Sequence, residues 1–139
     1  MISNLTGINY INYQWQVSTD SVNFSNIENN TQYDGVNTDT LKLDHFSSSF
    51  YGYQYRCIVE GNNSNVYSLK FVSTWTGAMD SIWENPLNWS CGTIPDINTD
   101  VIINSGTVIL GSNTAVRSLI VSPNANFTIA TGNNLIVAH

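Results

Sequence analysis

Apolar and polar residues alternate with a period of two along much of the chain. In the first half this alternation runs through residues 13–17 and 53–59, with shorter runs at 24–27, 40–43 and 67–71. Side chains on a β-strand point to opposite faces in turn, so period-two alternation predicts half-buried strands. Turn residues separate the runs, and five short strands at this spacing favour a β-sandwich.

The same alternation predicts which side chains face the core of this sandwich. The predicted core-facing residues are Tyr13, Trp15, Val17, Leu41, Leu43, Tyr53, Tyr55, Cys57 and Val59. We expect Trp15 to be buried against Tyr55 or Cys57, because a Tyr-x-Trp run and a Tyr-x-Cys run of the same pattern suit two neighbouring strands.

In the second half, short apolar pairs recur between turn residues. Each pair places two apolar side chains two positions apart: Val101 and Ile103, Val108 and Leu110, Leu119 and Val121, Phe127 and Ile129, and Leu135 and Val137. The last three pairs follow one another at intervals of eight residues, which fits the short strands of a solenoid. A meander of hairpins has the same alternation and stays open as an alternative. We favour the solenoid because the strands are very short for hairpins.

A stretch rich in tryptophan lies between these two regions. Three of the four Trp residues, Trp75, Trp83 and Trp89, fall within fifteen residues among Gly, Pro and Asn. Bulky aromatic side chains set among turn residues predict a packed plug at a junction between modules. The same three rings, with neighbouring Asn and Asp side chains, are also candidate carbohydrate-binding residues, since apolar sugar faces stack on indole. We favour the buried plug.

The first region resembles a known family. Residues 13–16 (YQWQ) and 52–57 (GYQYRC) resemble immunoglobulin-like modules of large secreted surface proteins of the Bacteroidetes type. The resemblance implies that Trp15 is the core Trp of the third strand, that Tyr55 is the tyrosine corner and that Cys57 is the second-sheet Cys. It also implies a truncated module with an unpaired Cys57, because the family's first strand and partner Cys are absent.

Residues 75–139 resemble a second family, whose lead-in motif matches residues 75–103. The order W-T-G, W, N-P, N-W-S, G, P and D-V-x-I is similar to a lead-in of bacterial surface proteins that precedes β-helical repeats. This resemblance implies that the three Trp cap the open end of a solenoid core. We therefore predict an all-β chain of two domains. Residues 1–73 form a truncated immunoglobulin-like β-sandwich, and residues 74–139 form a Trp-rich cap and the first rungs of a β-solenoid (β-helix).

Composition narrows the cellular setting and the partners. Charged residues make up only 10% of the chain, and the formal net charge is −6 with four Lys and Arg together. So few basic residues disfavour nucleic acid and anionic membranes as partners. No apolar run is long enough to span a bilayer, so membrane insertion is not expected. A surface of Asn, Ser and Thr suits a secreted or cell-surface protein. The start lacks the features of a signal peptide, so the chain is either cytosolic or an internal piece of a longer secreted protein, and its composition favours the second.

Few residues of the chain suggest catalysis or metal binding. Residues 96–100 have the alternate oxygen spacing that opens a Ca²⁺ loop, but Val101 stands where such a loop needs Gly. A turn capped by its own side chains is therefore favoured. Both His residues are isolated, and Cys57 and Cys91 lack the spacing of metal ligands and are expected as free thiols. We predict no catalytic, cofactor-binding or metal-binding residues.

The sequence therefore predicts a non-catalytic structural or adhesive segment of a larger secreted or cell-surface bacterial protein. Its expected partners are neighbouring repeats of the same polypeptide, with glycans or host and cell-surface proteins as further candidates, and open β edges favour self-association. Two alternatives stay open. One is a carbohydrate-binding module that uses Trp75, Trp83 and Trp89, and the other is an accessory module of a secreted enzyme whose catalytic domain lies elsewhere.

Overall fold

The computed structural model describes residues 11–139. Every regular element in these residues is a β-strand or a short 3₁₀ turn. The predicted all-β class is therefore confirmed for the described residues. The chain divides into two units, Met1–Leu69 and Lys70–His139, and the described part of the first unit begins at Ile11. Each unit has its own buried apolar cluster.

The first unit is built around two long paired strands. Its described strands are β1 (Tyr13–Ser18), β2 (Ser25–Asn26), β3 (Tyr33–Asp34), β4 (Lys42–Leu43), β5 (Gln54–Val59), β6 (Asn62–Asn63) and β7 (Tyr67–Ser68). β1 and β5 pair antiparallel along their whole length, with Trp15 opposite Cys57. β2 pairs with β1, β6 and β7 pair with β5, and β3 and β4 form a separate antiparallel pair.

The core of this unit draws side chains from both groups of strands. Its buried apolar cluster consists of Ile27, Val36 and Tyr55, and the half-buried side chains packed against it are Trp15, Val17, Tyr33, Leu41, Tyr53 and Leu69. Burial raises the pKa of the Tyr55 hydroxyl, which lies 3.3 Å from the hydroxyl of Tyr33. Trp15 is less buried than predicted, and its indole N–H donates to the carbonyl oxygen of Thr38 at 3.0 Å.

The predicted burial of Leu43 is wrong. This side chain is 37% exposed, because β4 is only two residues long and, among the described strands, pairs with β3 alone. The strand predicted at residues 67–71 is also shorter, since β7 ends at Ser68.

Both faces of β1 are covered, which the alternation did not predict. The buried positions of β1 are Gln16 and Ser18, whereas Tyr13, Trp15 and Val17 are only half-buried. Arg56 Nε donates to Gln16 Oε1 at 2.8 Å, and Ser18 Oγ donates to Asp20 Oδ1 at 3.0 Å. These polar partners allow hydrogen-bonding side chains to be buried on the second face.

The second unit contains seven short strands and the 3₁₀ turn Pro86–Asn88. Its strands are β8 (Val72–Thr74), β9 (Asp100–Ile103), β10 (Gly106–Leu110), β11 (Thr114–Val116), β12 (Ser118–Val121), β13 (Ala125–Ile129) and β14 (Leu135–Val137). We call β9, β10 and β11 the first rung, and β12, β13 and β14 the second rung.

Each strand of the first rung pairs in parallel with the strand three places later. Asp100 of β9 pairs with Ser118, Gly106 of β10 with Ala125, and Thr114 of β11 with Leu135, so the chain returns after 18, 19 and 21 residues. β8 pairs in parallel with the other edge of β9. A meander of hairpins would pair consecutive strands antiparallel. The pairs between named strands in this unit are all parallel, so the strands do not have that arrangement.

Parallel pairing in register stacks apolar side chains on one face of each strand. The first-rung residues on this face are fully buried: Val101, Ile103, Val108, Leu110 and Val116. Second-rung residues packed against this cluster are Leu119, Ala125, Phe127 and Leu135. Burial of each large aliphatic side chain contributes about 1.5–3 kcal/mol, so the stack of one rung on the next contributes substantially to the stability of this unit.

Gly35 in the first unit provides a test of the turn that brings β3 to β4. Its φ is +76°, and a Cβ there would clash with the carbonyl oxygen of Thr40 and lie 3.0 Å from Thr38 Oγ1. Gly52 is the matched control, because its φ is +89° but nothing lies within 4 Å of an added Cβ. Both Gly→Ala variants carry the left-handed cost of about 1–2 kcal/mol, whereas only Gly35→Ala adds the clash.

We expect Gly35→Ala to lower the free energy of unfolding by at least about 2 kcal/mol more than Gly52→Ala. The measurement is the urea midpoint at which the buried Cys57 becomes reactive to a thiol reagent. Equal midpoints for the two variants would show that the turn accommodates the added Cβ with no loss of stability, which would contradict the described geometry.

Candidate functional site

The residues between β8 and β9 form a loop that is held against the first rung. We call residues 75–92 the lead-in loop. Trp75 pairs with Trp89 across the loop in an antiparallel bridge, and Ile82 pairs in parallel with Ile109 of β10. The backbone N–H of Trp83 also donates to the carbonyl of Ile109 at 3.0 Å. The loop therefore adds one partial layer of strand-like backbone beneath the first rung, beside the layer that β8 supplies to β9.

The three Trp of the lead-in loop form one buried stack. Trp75, Trp83 and Trp89 are 6%, 0% and 3% exposed. Trp89 packs edge-on against both others, with ring centroids 5.1 Å from Trp75 and 4.6 Å from Trp83, and Trp83 lies 5.8 Å from Phe127. A sugar ring stacks on a free indole face. The rings of these candidate carbohydrate-binding residues are instead covered by one another and by the strand side chains.

The two most buried indoles differ in hydrogen bonding. Trp89 Nε1 donates to the carbonyl oxygen of Trp83 at 2.8 Å. Trp83 Nε1 is buried and has no hydrogen-bond acceptor among the described residues. A buried donor without a partner costs about 1–3 kcal/mol, so the packing around the Trp83 ring more than offsets an unfavourable contribution from its N–H group.

Asn88 connects the two halves of the lead-in loop. Its Oδ1 accepts from the backbone N–H groups of Met79 at 2.9 Å and Asp80 at 3.1 Å. Its Nδ2 donates to Asp80 Oδ1 at 2.7 Å and to the carbonyl oxygen of Ile82 at 3.0 Å. The side chain is fully buried, and both donors and both acceptor positions of the amide are engaged.

The backbone of Asn88 extends this network. Its carbonyl oxygen accepts from the backbone N–H of Thr76 at 2.8 Å and from Thr76 Oγ1 at 2.9 Å. The 3₁₀ turn that ends at Asn88 is capped by Asn85, whose Oδ1 accepts from the backbone N–H of Leu87 at 3.1 Å. The lead-in loop, which carries all three Trp, is thus fixed by one asparagine and the turn that precedes it.

Asp80 is fixed in the same network. Its Oδ1 accepts from the backbone N–H of Ile82 at 2.8 Å and its Oδ2 from Asn85 Nδ2 at 2.8 Å, in addition to the bond from Asn88. The Ile82 N–H, followed by the amides of Asn85 and Asn88, holds the pKa of this carboxyl below its usual range. A carboxylate so engaged stabilises the loop and is poorly suited to proton transfer at neutral pH.

Glu84 ties the lead-in loop to the turn after β10. Its Oε1 accepts from the backbone N–H of Gly111 at 2.9 Å and from Ser112 Oγ at 2.7 Å. Asp80 and Glu84, which help to position the three Trp, were not predicted from the sequence, and Asn88 was named there as a motif position without this role. The one local signal was Asn85-Pro86, which starts a capped turn three residues before Asn88.

The candidate Ca²⁺ loop is a capped turn, as favoured from the sequence. Asp96 Oδ1 accepts from the backbone N–H of Asn98 at 3.0 Å and from Thr99 Oγ1 at 2.8 Å. Among the described residues no three His, Cys, Asp or Glu side chains form a group that could hold a metal ion. Cys57 and Cys91 are free cysteines, the first buried and the second exposed. The described residues also include no helix of the length and hydropathy needed to cross a membrane.

One family model matches the part of the chain that contains this site. A family model described as a domain of unknown function (DUF8693) matches residues 74–139, which include the lead-in loop and both rungs. No curated protein and no solved structure matches the chain.

The hydrogen bonding of the Trp stack gives a paired test. Trp83→Phe and Trp89→Phe remove the same atoms from two buried sites. Trp89→Phe also leaves the carbonyl of Trp83 without its donor, whereas Trp83→Phe removes a donor that had no partner. We expect the loss in free energy of unfolding to be about 1–3 kcal/mol larger for Trp89→Phe. Urea unfolding followed by the remaining Trp fluorescence measures both losses, and a larger loss for Trp83→Phe would contradict this description of the stack.

Proposed function

We propose that this chain is a non-catalytic structural or adhesive segment of a larger secreted or cell-surface bacterial protein. In this proposal residues 1–73 are a truncated immunoglobulin-like β-sandwich, and residues 74–139 are a Trp-rich cap followed by the first rungs of a β-solenoid. The role of the segment is to space, display or attach the domains beside it.

The observation that carries the proposal is the in-register parallel pairing of the two rungs. Each strand of the second rung lies directly on its counterpart in the first, so apolar residues stack on apolar residues at most inward positions; Leu135, which pairs with Thr114, is an exception. An architecture of this kind grows along one axis and interacts mainly with its nearest neighbours. A stiff element that grows by adding rungs suits a spacer between domains better than it suits an enclosed reaction site.

The lead-in loop supports the same role. Its Trp side chains belong to the buried cluster that also contains Val101 and Val108, so they cover apolar surface of the first rung. The amide of Asn88 and the carboxylate of Asp80 are engaged in holding this loop. The groups in the loop that could have bound a ligand therefore act as a cap, which solenoids need at their ends to stay soluble.

Composition supports the secreted or cell-surface setting. Only 10% of the residues are charged, and the net charge is −6. The expected partners are neighbouring repeats of the same polypeptide, and any attachment to a glycan or to another protein uses exposed residues rather than the Trp stack. A negative surface with few Lys and Arg does not suit nucleic acid.

Antibodies raised against the purified chain test the proposal on cells of the source organism. We expect intact cells to be labelled, and brief treatment with an added protease to remove the label. An antibody to a cytosolic protein, which should stain only permeabilised cells, is the control. Labelling that appears only after permeabilisation would overturn the surface assignment.

The carbohydrate-binding and enzyme-accessory alternatives predict a ligand for this segment. The Trp83→Phe variant on a glycan array separates the first of them. Loss of a glycan signal in a variant that stays folded would place a sugar at the Trp stack. A signal that persists in this variant, but is lost with Phe50→Ala, would place it at the half-exposed Phe46, Phe50 and Tyr53 rings of the first unit.

A further inference from the structure

The second rung leaves one end of the second unit open. Three inward residues of the first rung are fully buried: Ile103, Leu110 and Val116. The residues paired with them in register are 39%, 40% and 46% exposed: Val121, Ile129 and Val137. The same face of the strand is therefore closed in one rung and open in the next.

The backbone at this end is open as well. Ser122, Ala130 and Ala138 donate their N–H groups to the first rung, each at 2.9 Å. Hydrogen bonding alternates along a parallel strand, so the residues one and three positions before each of these donors point their N–H groups to the opposite edge. The residues so oriented are Leu119, Val121, Phe127, Ile129, Leu135 and Val137. We call these six residues the end face, because each contributes both an inward apolar side chain and an outward-edge N–H group.

Nothing in the charge pattern protects these edges from pairing. Residues 118–138 contain no Asp, Glu, Lys or Arg. Exposed strand edges in soluble proteins are normally blocked by charged side chains, proline or bulges. An uncharged edge beside half-exposed apolar side chains is the surface of an interface.

We propose that the end face binds a further rung of polypeptide, made of three short parallel strands whose apolar side chains stack on Leu119, Phe127 and Leu135. The argument is continuity, since the second rung already binds the first through the same edges and the same inward face. The spacing of the existing rungs sets the form of the partner: about 18 to 21 residues, with three pairs of apolar residues separated by turns. This inference rests on the proposed function, because a growing stack is what makes the segment a spacer.

β12, β13 and β14 each have one edge that pairs with no described strand, and these edges surround the apolar end face. This arrangement favours a polypeptide over a small ligand. A lipid or an aromatic molecule could cover the side chains, but it could not pair with the backbone N–H and C=O groups on all three sides. Strand addition satisfies both requirements at once.

An extended chain tests the proposal directly. A second copy of residues 118–138 is inserted between Ala138 and His139, which keeps the 21-residue return of β11 and β14. The control carries the same insertion with the copies of the six end-face residues replaced by Ser. Amide hydrogen exchange of the six end-face residues is then compared with that of the unextended chain, using first-rung amides to verify folding.

We expect exchange at the end face to slow by about tenfold or more in the extended chain and to change little in the Ser control. Unchanged rates in the extended chain, or equal slowing in both chains, would overturn the proposal. If the end-face amides of the unextended chain already exchange slowly, and more slowly at higher protein concentration, the end face instead binds a second copy of the chain.

A synthetic peptide of residues 118–138 provides the same comparison if the extended chain does not fold. Added to the unextended chain, it should slow the same amides saturably, and its Ser version should not. These outcomes are independent of cell labelling and of the glycan array, so failure of the rung interface and failure of the proposed function are distinguishable.

Discussion

The second unit depends on one buried amide. Asn88 accepts from two backbone N–H groups, donates to a carboxylate and a carbonyl, and is fully buried. A buried polar network stabilises a structure when every member has a partner, and it becomes costly when one is lost. Because Asn88 directly precedes Trp89, the same residue that closes the polar network also sets the position of the aromatic stack.

The stack in turn sets where the parallel strands begin. Parallel strands need a buried face and cannot be joined by tight hairpins, so the first rung requires a cover on the side away from the second. β8 supplies it to β9, and Ile82 with the Trp rings supplies it to β10. The two ends of the unit therefore differ in kind. One end is closed by aromatic side chains and by the hydrogen-bonded lead-in loop. The other end presents strand edges that no described strand pairs with, and half-exposed apolar residues.

Sequence patterns predicted five of the seven strands of the second unit, because each short pair of apolar residues lies on one strand, whereas β8 and β11 contain no such pair. Val108 and Leu110 lie on β10, and Leu135 and Val137 on β14. Which strands pair could not be read from alternation, since parallel and antiparallel strands share a period of two. That choice depends on contacts between residues about twenty positions apart, which no local pattern encodes.

The candidate site was predicted only in part, for a similar reason. Bulk and clustering made Trp75, Trp83 and Trp89 conspicuous, whereas Asn88 is one of many Asn in the chain. An asparagine that caps a surface turn and one that holds a buried network look alike until their partners are known. In the first unit, burial of Gln16 depended on Arg56, forty residues away, and local alternation carries no information about such a partner.

The account is tested most directly by the free energy of unfolding of Asn88→Ala, compared with Asn126→Ala, an exposed Asn of the same unit. Urea unfolding followed by Trp fluorescence reports on this unit, because three of the four Trp lie in it. Removing the Asn88 amide takes the acceptor from the backbone N–H groups of Met79 and Asp80 and removes one donor to the Asp80 carboxylate. The account therefore predicts a loss of at least about 3 kcal/mol. The control should lose less than about 0.5 kcal/mol. Equal, small losses in both variants would contradict the claim that this amide holds the lead-in loop.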